Sequence, residues 1–229
     1  MNIAIIMAGG TGKRMNSDIP KQFLTAGGKP VIIHTLEKFQ AAESIDAVTV
    51  VCAEGYIGYC RELADAWNIT KCLSVIPGGA ERYDSSRKGV EEALRIAKIL
   101  KTNEPDVTVL IHDAARPFID ERIINENIAN ASALGACETV SPMNDTVIRG
   151  KDGFAEAVVD REDLFKVQTP QSFRLDVIKE AFERYDPAVD GPVTDDASLV
   201  LRLGGKVALV NGSPLNIKIT TPEDLGFFR

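Results

Sequence analysis

Runs of aliphatic residues recur along this chain and are separated by segments of helical periodicity, and that alternation limits the possible folds more than any other feature. Residues 2–7 (Asn-Ile-Ala-Ile-Ile-Met) read as a first strand, followed by a glycine-rich loop and a helix over 30–41 with Pro30 in its first turn. Strands over 46–52, 73–76 and 107–111 then alternate with helices over 56–67, 82–100 and 121–134. A strand that is apolar at nearly every position has no face to offer water, so both its sides must be covered. Joined by helices, such strands form a mainly parallel sheet with right-handed crossovers and helices on both faces. The expected class is α/β, with ligands at the carboxyl ends of the strands.

The rhythm changes after residue 134. Residues 139–149 and 154–159 read as two extended segments around the turn Gly150-Lys151-Asp152-Gly153, which makes a projecting hairpin. Helices over 175–185 and 195–203 follow, then a strand over 206–210, a short strand over 216–219 and a helix opening at Thr221-Pro222-Glu223-Asp224. With no linker, repeat or low-complexity stretch, one domain over 1–229 is expected, with 139–161 as a β-arm. An arm of that length must cover its apolar side, and a second copy is the simplest cover, so a homodimer through the arm is expected.

Composition bears on what such a domain binds. At 229 residues, 45% hydrophobic and 26% charged, the chain can bury a full core and is neither disordered nor a disulfide-stapled miniprotein. Its formal net charge of -7 repels a phosphate-coated polymer, which argues against a nucleic-acid partner. There is no apolar run of the roughly 20 residues a membrane span needs, and the start Met1-Asn2-Ile3-Ala4 lacks a basic segment and cleavage site, so no membrane contact and a cytoplasmic location are expected. Cys52, Cys60, Cys72 and Cys137 lack CxxC spacing and read as reduced, buried thiols.

A small anion remains compatible with this balance if cations gather locally, and one loop gathers them. Ala8-Gly9-Gly10-Thr11-Gly12-Lys13-Arg14-Met15 directly follows the first strand, where glycines let backbone N–H groups approach anionic oxygens. The spacing is neither GxGxxG nor GxxxxGK[ST]. Lys13, Arg14 and, shortly after, Lys21 suit a ligand with three or four negative charges better than a single phosphate. A close ion pair at about 4 Å is worth about 4 kcal/mol at an effective dielectric of 20, whereas exposed charges beyond about 8 Å are screened at physiological salt. The local cations therefore outweigh the acidic average.

These residues resemble the sugar-phosphate cytidylyltransferases, and most closely the 2-C-methyl-D-erythritol 4-phosphate cytidylyltransferase family. The resemblance spans nearly the whole chain. It rests on the glycine loop together with Pro20-Lys21-Gln22-Phe23-Leu24, Gly78-Gly79-Ala80-Glu81-Arg82, His112-Asp113-Ala114-Ala115-Arg116-Pro117, Val159-Asp160-Arg161, Gln168-Thr169-Pro170-Gln171-Ser172-Phe173, Thr194-Asp195-Asp196-Ala197-Ser198 and Asn216-Ile217-Lys218-Ile219-Thr220. It implies a Rossmann-like nucleotidyltransferase with a dimerising β-arm. A sister group acts on ribitol 5-phosphate; Gly9, Phe23 and the stretch 33–39 look like that group, while Val159-Asp160-Arg161 and Thr194-Asp195-Asp196-Ala197-Ser198 look like the methylerythritol enzymes. A non-catalytic nucleotide-binding protein on the same fold is the alternative from another class.

The implied reaction is attack of an acceptor phosphate oxygen on the α-phosphorus of CTP, with loss of pyrophosphate. The nucleophile is already ionised, so catalysis reduces to holding two anions together and stabilising charge that grows in the transition state. By the resemblance, Arg14 and Lys21 stabilise that charge, and Arg161 and Lys218 position the polyol phosphate, the arginine reaching the neighbouring subunit's site. The competing roles are a surface ion pair of Arg161 with Asp160 or Glu162, and a solvated strand end for Lys218. Ala8, Gly9, Gly10, Thr11, Gly12, Lys13, Gly79, Ala80 and Ser85 are expected around the nucleotide. Asp113, Arg116, Thr169 and Thr194 are expected around the acceptor, although an Asp113–Arg116 pair could merely shape its loop and the threonines could be caps or turn formers. Asp195 and Asp196 are read as helix caps, and His112 and His34 as packing or hydrogen-bonding residues. Mg2+ is expected with the triphosphate, coordinated mainly by phosphate and water, with no protein ligand assigned.

Overall fold

The computed structural model describes residues 1–10, 15 and 19–228. The elements, in order, are β1 (Asn2–Ala8), the short ribbon β2 (Thr25–Ala26) and β3 (Lys29–Pro30), α1 (Val31–Ala41), β4 (Ala47–Cys52), α2 (Ile57–Ala66), β5 (Cys72–Pro77), α3 (Arg82–Ile99), β6 (Thr108–Asp113) and α4 (Glu121–Leu134). These are followed by β7 (Ala136–Pro142), β8 (Val147–Lys151), β9 (Phe154–Val159), β10 (Phe165–Arg174), α5 (Leu175–Arg184), α6 (Pro187–Asp190), α7 (Ala197–Arg202) and β11 (Ala208–Asn211).

Seven strands form one sheet in the order β11-β7-β10-β6-β1-β4-β5. All neighbouring pairs are parallel except those of β10, which runs antiparallel to both β6 and β7. The class is thus the expected one. The apolar first strand is explained by its two faces. Ala4, Ile6 and Ala8 join a core with α1, α2 and α4, while Ile3 and Ile5 join a second core with α3, α5 and α7. Each fully buried aliphatic side chain contributes about 1.5–3 kcal/mol, so the two-sided burial anchors the strands at whose ends the site lies.

Three local expectations are corrected. Residues 139–149 are not one extended segment of a hairpin: 139–142 belong to β7 in the main sheet, and only β8 pairs with β9 in a separate two-stranded ribbon. The ribbon's turn narrows to Asp152-Gly153, both at positive φ (50° and 84°), the backbone that matches strand twist and that Asp-Gly adopts readily. Residues 216–219 form no strand, since their segment has no ladder partner; Ile219 N–H instead donates to the Ala115 carbonyl at 2.8 Å. The helix expected at Thr221 is a 3-10 helix, Pro222–Phe228. Residues 165–174, which carry no clear strand signal in sequence, form the antiparallel β10. All four cysteines are free thiols, Cys72 half-buried and the others buried. No helix of the described residues is long and apolar enough to cross a membrane.

Candidate active site

A cleft of about 480 Å³ opens at the carboxyl ends of β1, β5 and β6. On one side, β1 ends at buried Ala8 and passes into Gly9 and Gly10, which line the cleft. The Gln22 amide holds this turn from behind, donating to the Ala8 carbonyl at 2.6 Å and the Gly10 carbonyl at 3.1 Å. Thr11, Gly12, Lys13 and Arg14 lie outside the described residues.

The second wall is the turn between β5 and α3. Gly78 N–H donates to the Cys52 carbonyl at 2.8 Å, and Gly79 N–H donates to Ser85 Oγ at 2.9 Å. Neither glycine has room for a side chain: an added Cβ would stand 2.9 Å from Ser85 Oγ at Gly78 and 2.1 Å from Asp84 Cβ at Gly79. Gly79, Ala80, Glu81 and Ser85 face the cleft. Asp84 accepts the Glu81 N–H at 3.2 Å and so starts α3.

The third wall carries the charge. Asp113, the last residue of β6, is only 13% exposed and meets Lys218 Nζ at 2.8 Å and Arg116 Nε at 3.5 Å. Burial alone would raise the Asp113 pKa, but Lys218, then Arg116 and Arg82, outweigh it and hold the carboxyl at about 2. Lys21 Nζ donates to the Ile219 carbonyl at 2.6 Å, which ties it to the segment that carries Lys218 although the two arise at opposite ends of the chain. Lys21 and Lys218 both line the cleft.

Behind Asp113, the Thr169 hydroxyl accepts the Asp113 N–H at 3.1 Å and lies 3.1 Å from His112 Nδ1. His112 Nε2 lies 3.1 Å from the Arg116 carbonyl. A carbonyl only accepts, so Nε2 carries the proton and Nδ1 accepts from Thr169. Burial pushes the His112 pKa down to about 4, which keeps the ring neutral. His34 likewise contacts the Ala26 carbonyl at 2.8 Å. Both histidines are structural.

Thr194 and Arg161 are exposed and do not border the cleft of their own chain. Arg161 donates to the Asn144 carbonyl rather than pairing with Asp160 or Glu162. Asp195 caps α7 by accepting the Ser198 N–H at 3.0 Å, as expected, but Asp196 does not: it pairs with Arg82 at 2.8 Å.

Arg82, Gln22, Gln168 and Asn216 stand within the sequence motifs, yet nothing in the motifs themselves assigns them a role. Asn216 is buried, donates to the Thr169 carbonyl at 2.9 Å and to Gln168 Oε1 at 3.2 Å, and its backbone carbonyl accepts from Arg116 at 2.8 Å. It ties the Lys218 segment to β10 and to Arg116 at once. A polar residue inside an apolar alternation, Asn216-Ile217-Lys218-Ile219, is the one signal of this that the sequence carries.

Two glycine turns, two lysines and an ion-paired carboxylate thus share one cleft at the switch between strand ends, as nucleotide sites of open α/β sheets do. Comparison with known proteins agrees. The family model for 2-C-methyl-D-erythritol 4-phosphate cytidylyltransferase matches residues 2–228. A protein of that description from Lachnospira eligens is 42% identical over 228 residues, covering 98% of this chain and 96% of its own. One from Clostridium botulinum is 43% identical over 225 residues, covering 98% and 94%. The crystal structure of 4-diphosphocytidyl-2C-methyl-D-erythritol synthase from Anaerococcus prevotii superposes with a TM-score of 0.80 at 28% identity, covering 100% of this chain and 94% of that one. The matches select the methylerythritol branch, and the chain belongs to the 2-C-methyl-D-erythritol 4-phosphate cytidylyltransferase family of the non-mevalonate pathway.

Proposed function

We propose that the two substrates of this CTP-dependent cytidylyltransferase meet between the Gly9–Gly10 turn and the Asp113–Lys218 pair, with methylerythritol phosphate as acceptor. The observation that carries this reading is the Lys21 ammonium resting on the carbonyl next to Lys218. A cation suited to the triphosphate and a cation suited to the incoming phosphate thereby belong to one cleft. The nucleotide side is the turn Gly79–Ser85 with Ala8, Gly9 and Gly10, where the glycines let the backbone approach the base and phosphates closely. Lys21, with Arg14, stabilises charge on the α-phosphoryl group and the leaving pyrophosphate.

On the acceptor side, Lys218 leaves Asp113 to hold the attacking phosphate, while Asp113 orients the polyol hydroxyls, backed by Arg116 and by the Thr169 hydroxyl behind it. The phosphate oxygen attacks already ionised, so no general base is required, and the neutral His112 takes no part in proton transfer. Among the described residues no set of three His, Cys, Asp or Glu converges, and of the two cleft carboxylates, Glu81 and Asp113, the latter is engaged by cations. This lining fits a Mg2+ that would be held mainly by triphosphate oxygens and water and would supply charge neutralisation there.

Arg161 stands on the arm, away from its own cleft. In the arm, Ile148 and Val158 sit directly opposite each other and, with Phe154, are exposed. An isolated two-stranded ribbon with such a surface is marginal in water. A second copy that covers it carries Arg161 to the partner's acceptor pocket, so each site is built from two chains. Lys218→Ala and Arg161→Ala should each lower kcat/KM by about 100-fold if a charge-assisted contact is lost. Mixing the two inactive variants should restore activity to about a quarter of wild type, because half the dimers are mixed and each has one intact site. If the mixture stays as inactive as its parts, the shared site does not exist.

A further inference from the structure

Arg82 and Asp196 form a contact that the reaction as described leaves unused. Arg82 opens α3 directly after the nucleotide-side turn, and its side chain is 36% exposed and borders the cleft. It does not extend into solvent. It crosses to Asp196, 114 residues further along, and donates from a terminal nitrogen at 2.8 Å.

Asp196 is held for that contact. It occupies the N-cap position of α7, where a carboxylate ordinarily accepts an N–H of the first turn. Its side chain accepts none, because the neighbouring Asp195 takes that bond. The Asp196 N–H donates to Gln171 Oε1 at 2.9 Å, and the Gln171 amide donates in turn to Glu138. The Asp196 side chain is 2% exposed, and Arg82 is the cation that meets it. A buried carboxylate stripped of its partner is costly, and the partner that neutralises this one, Arg82, lines the same cleft as Asp113.

We propose that Arg82 is a positioning residue for the acceptor: by neutralising Asp196 it keeps the Thr194–Ser198 turn docked and prevents a second negative charge from facing the incoming phosphate. This rests on the acceptor side being the Asp113 wall. Arg82 acts through Asp196, so its importance should vanish once position 196 carries no charge.

A double-mutant cycle with purified full-length enzyme tests this, with CTP and methylerythritol phosphate varied separately. Arg82→Met should raise the acceptor KM by about 10-fold or more and the CTP KM by less than about threefold. Combining it with Asp196→Asn should recover most of that loss, leaving the double variant within about twofold of Asp196→Asn alone. Should Arg82→Met alone fail to fold, the comparison of Asp196→Asn with the double variant still decides, since both lack the stranded charge. A further large rise in acceptor KM when Arg82 is removed from the Asp196→Asn background overturns the proposal, as does a loss shared equally between the substrates. Asp113→Asn serves as the control. If it leaves the acceptor KM unchanged, the acceptor wall itself is misplaced; if it raises that KM while the cycle is additive, only the role of Arg82 fails.

Discussion

Glu138 gives the sharpest quantitative test, because it is a carboxyl buried away from the reacting groups. It lies on β7, is 9% exposed, accepts from the Gln171 amide and stands beside Asp195. Burial first, and then the Asp195 charge, raise its pKa from 4.5 to about 7. A raised carboxyl pKa means that the folded protein holds the proton more tightly than the unfolded chain. The contribution of Glu138 to stability is therefore undiminished below about pH 4.5 and falls as pH rises from there through about 7, the ionised form costing about 3 kcal/mol before residual solvation and about 2 kcal/mol after it. Glu138→Gln keeps the shape, still accepts from Gln171, donates an N–H toward Asp195 and never ionises. At pH 8 the variant should be more stable than wild type by about 2 kcal/mol, a rise in Tm of about 4–8 °C for a chain of this size. At pH 4 the two should agree within about 0.5 kcal/mol. Thermal and urea unfolding at both pH values measure the difference. Equal displacements at pH 4 and pH 8, or a variant less stable at pH 8, would refute the argument.

Other consequences follow from particular contacts. An added Cβ at Gly89 would stand 2.5 Å from Ile5 Cγ2 and 3.1 Å from Val51 Cγ2, so Gly89→Ala should push α3 off the sheet and cost about 1–3 kcal/mol in urea unfolding. An alanine variant of wild-type stability would mean that this interface yields. Asn216→Ala removes the donor to the Thr169 carbonyl and should cost about 1–3 kcal/mol while lowering kcat by about 10-fold or more through a displaced Lys218. Unchanged turnover in that variant would separate Asn216 from Lys218. Since Lys218 is the strongest influence opposing burial at Asp113, Lys218→Met should raise the Asp113 pKa by about 1 or more from about 2, read by carbon NMR of its carboxyl. The pair's contribution to wild-type stability, complete above about pH 4, should be lost as pH falls through about 2. A carboxyl pKa that does not move would acquit the ammonium.

The regions legible in sequence are those where one local signal decides the outcome. Two-faced apolar strands such as 2–7 have no stable alternative to burial between helices, and the Asp152-Gly153 turn carries its own backbone preference. Of the cations singled out by type, Lys21 and Lys218 line the cleft, while Arg161 stands away from it on the arm. β10 carries no such signal. Gln168, Thr169, Gln171 and Ser172 show no apolar alternation, yet they are buried beside β6 because partners distant in sequence satisfy them: Asn216 for Gln168, His112 for Thr169, Glu138 for Gln171 and Asn127 for Ser172. The converse holds for 216–219, whose apolar alternation fits a strand but finds no sheet edge to join.

Sequence by itself determined the layered α/β architecture, the glycine turns and the charge chemistry, because hydrophobic periodicity and residue type act locally and additively. Tertiary structure alone decided that Lys21 lies against Ile219, that Lys218 pairs with Asp113, and that Arg82 rather than a helix end claims Asp196. Those choices depend on which distant carboxylates and carbonyls the completed sheet leaves desolvated and in want of a partner, and that is settled only once the whole chain has packed.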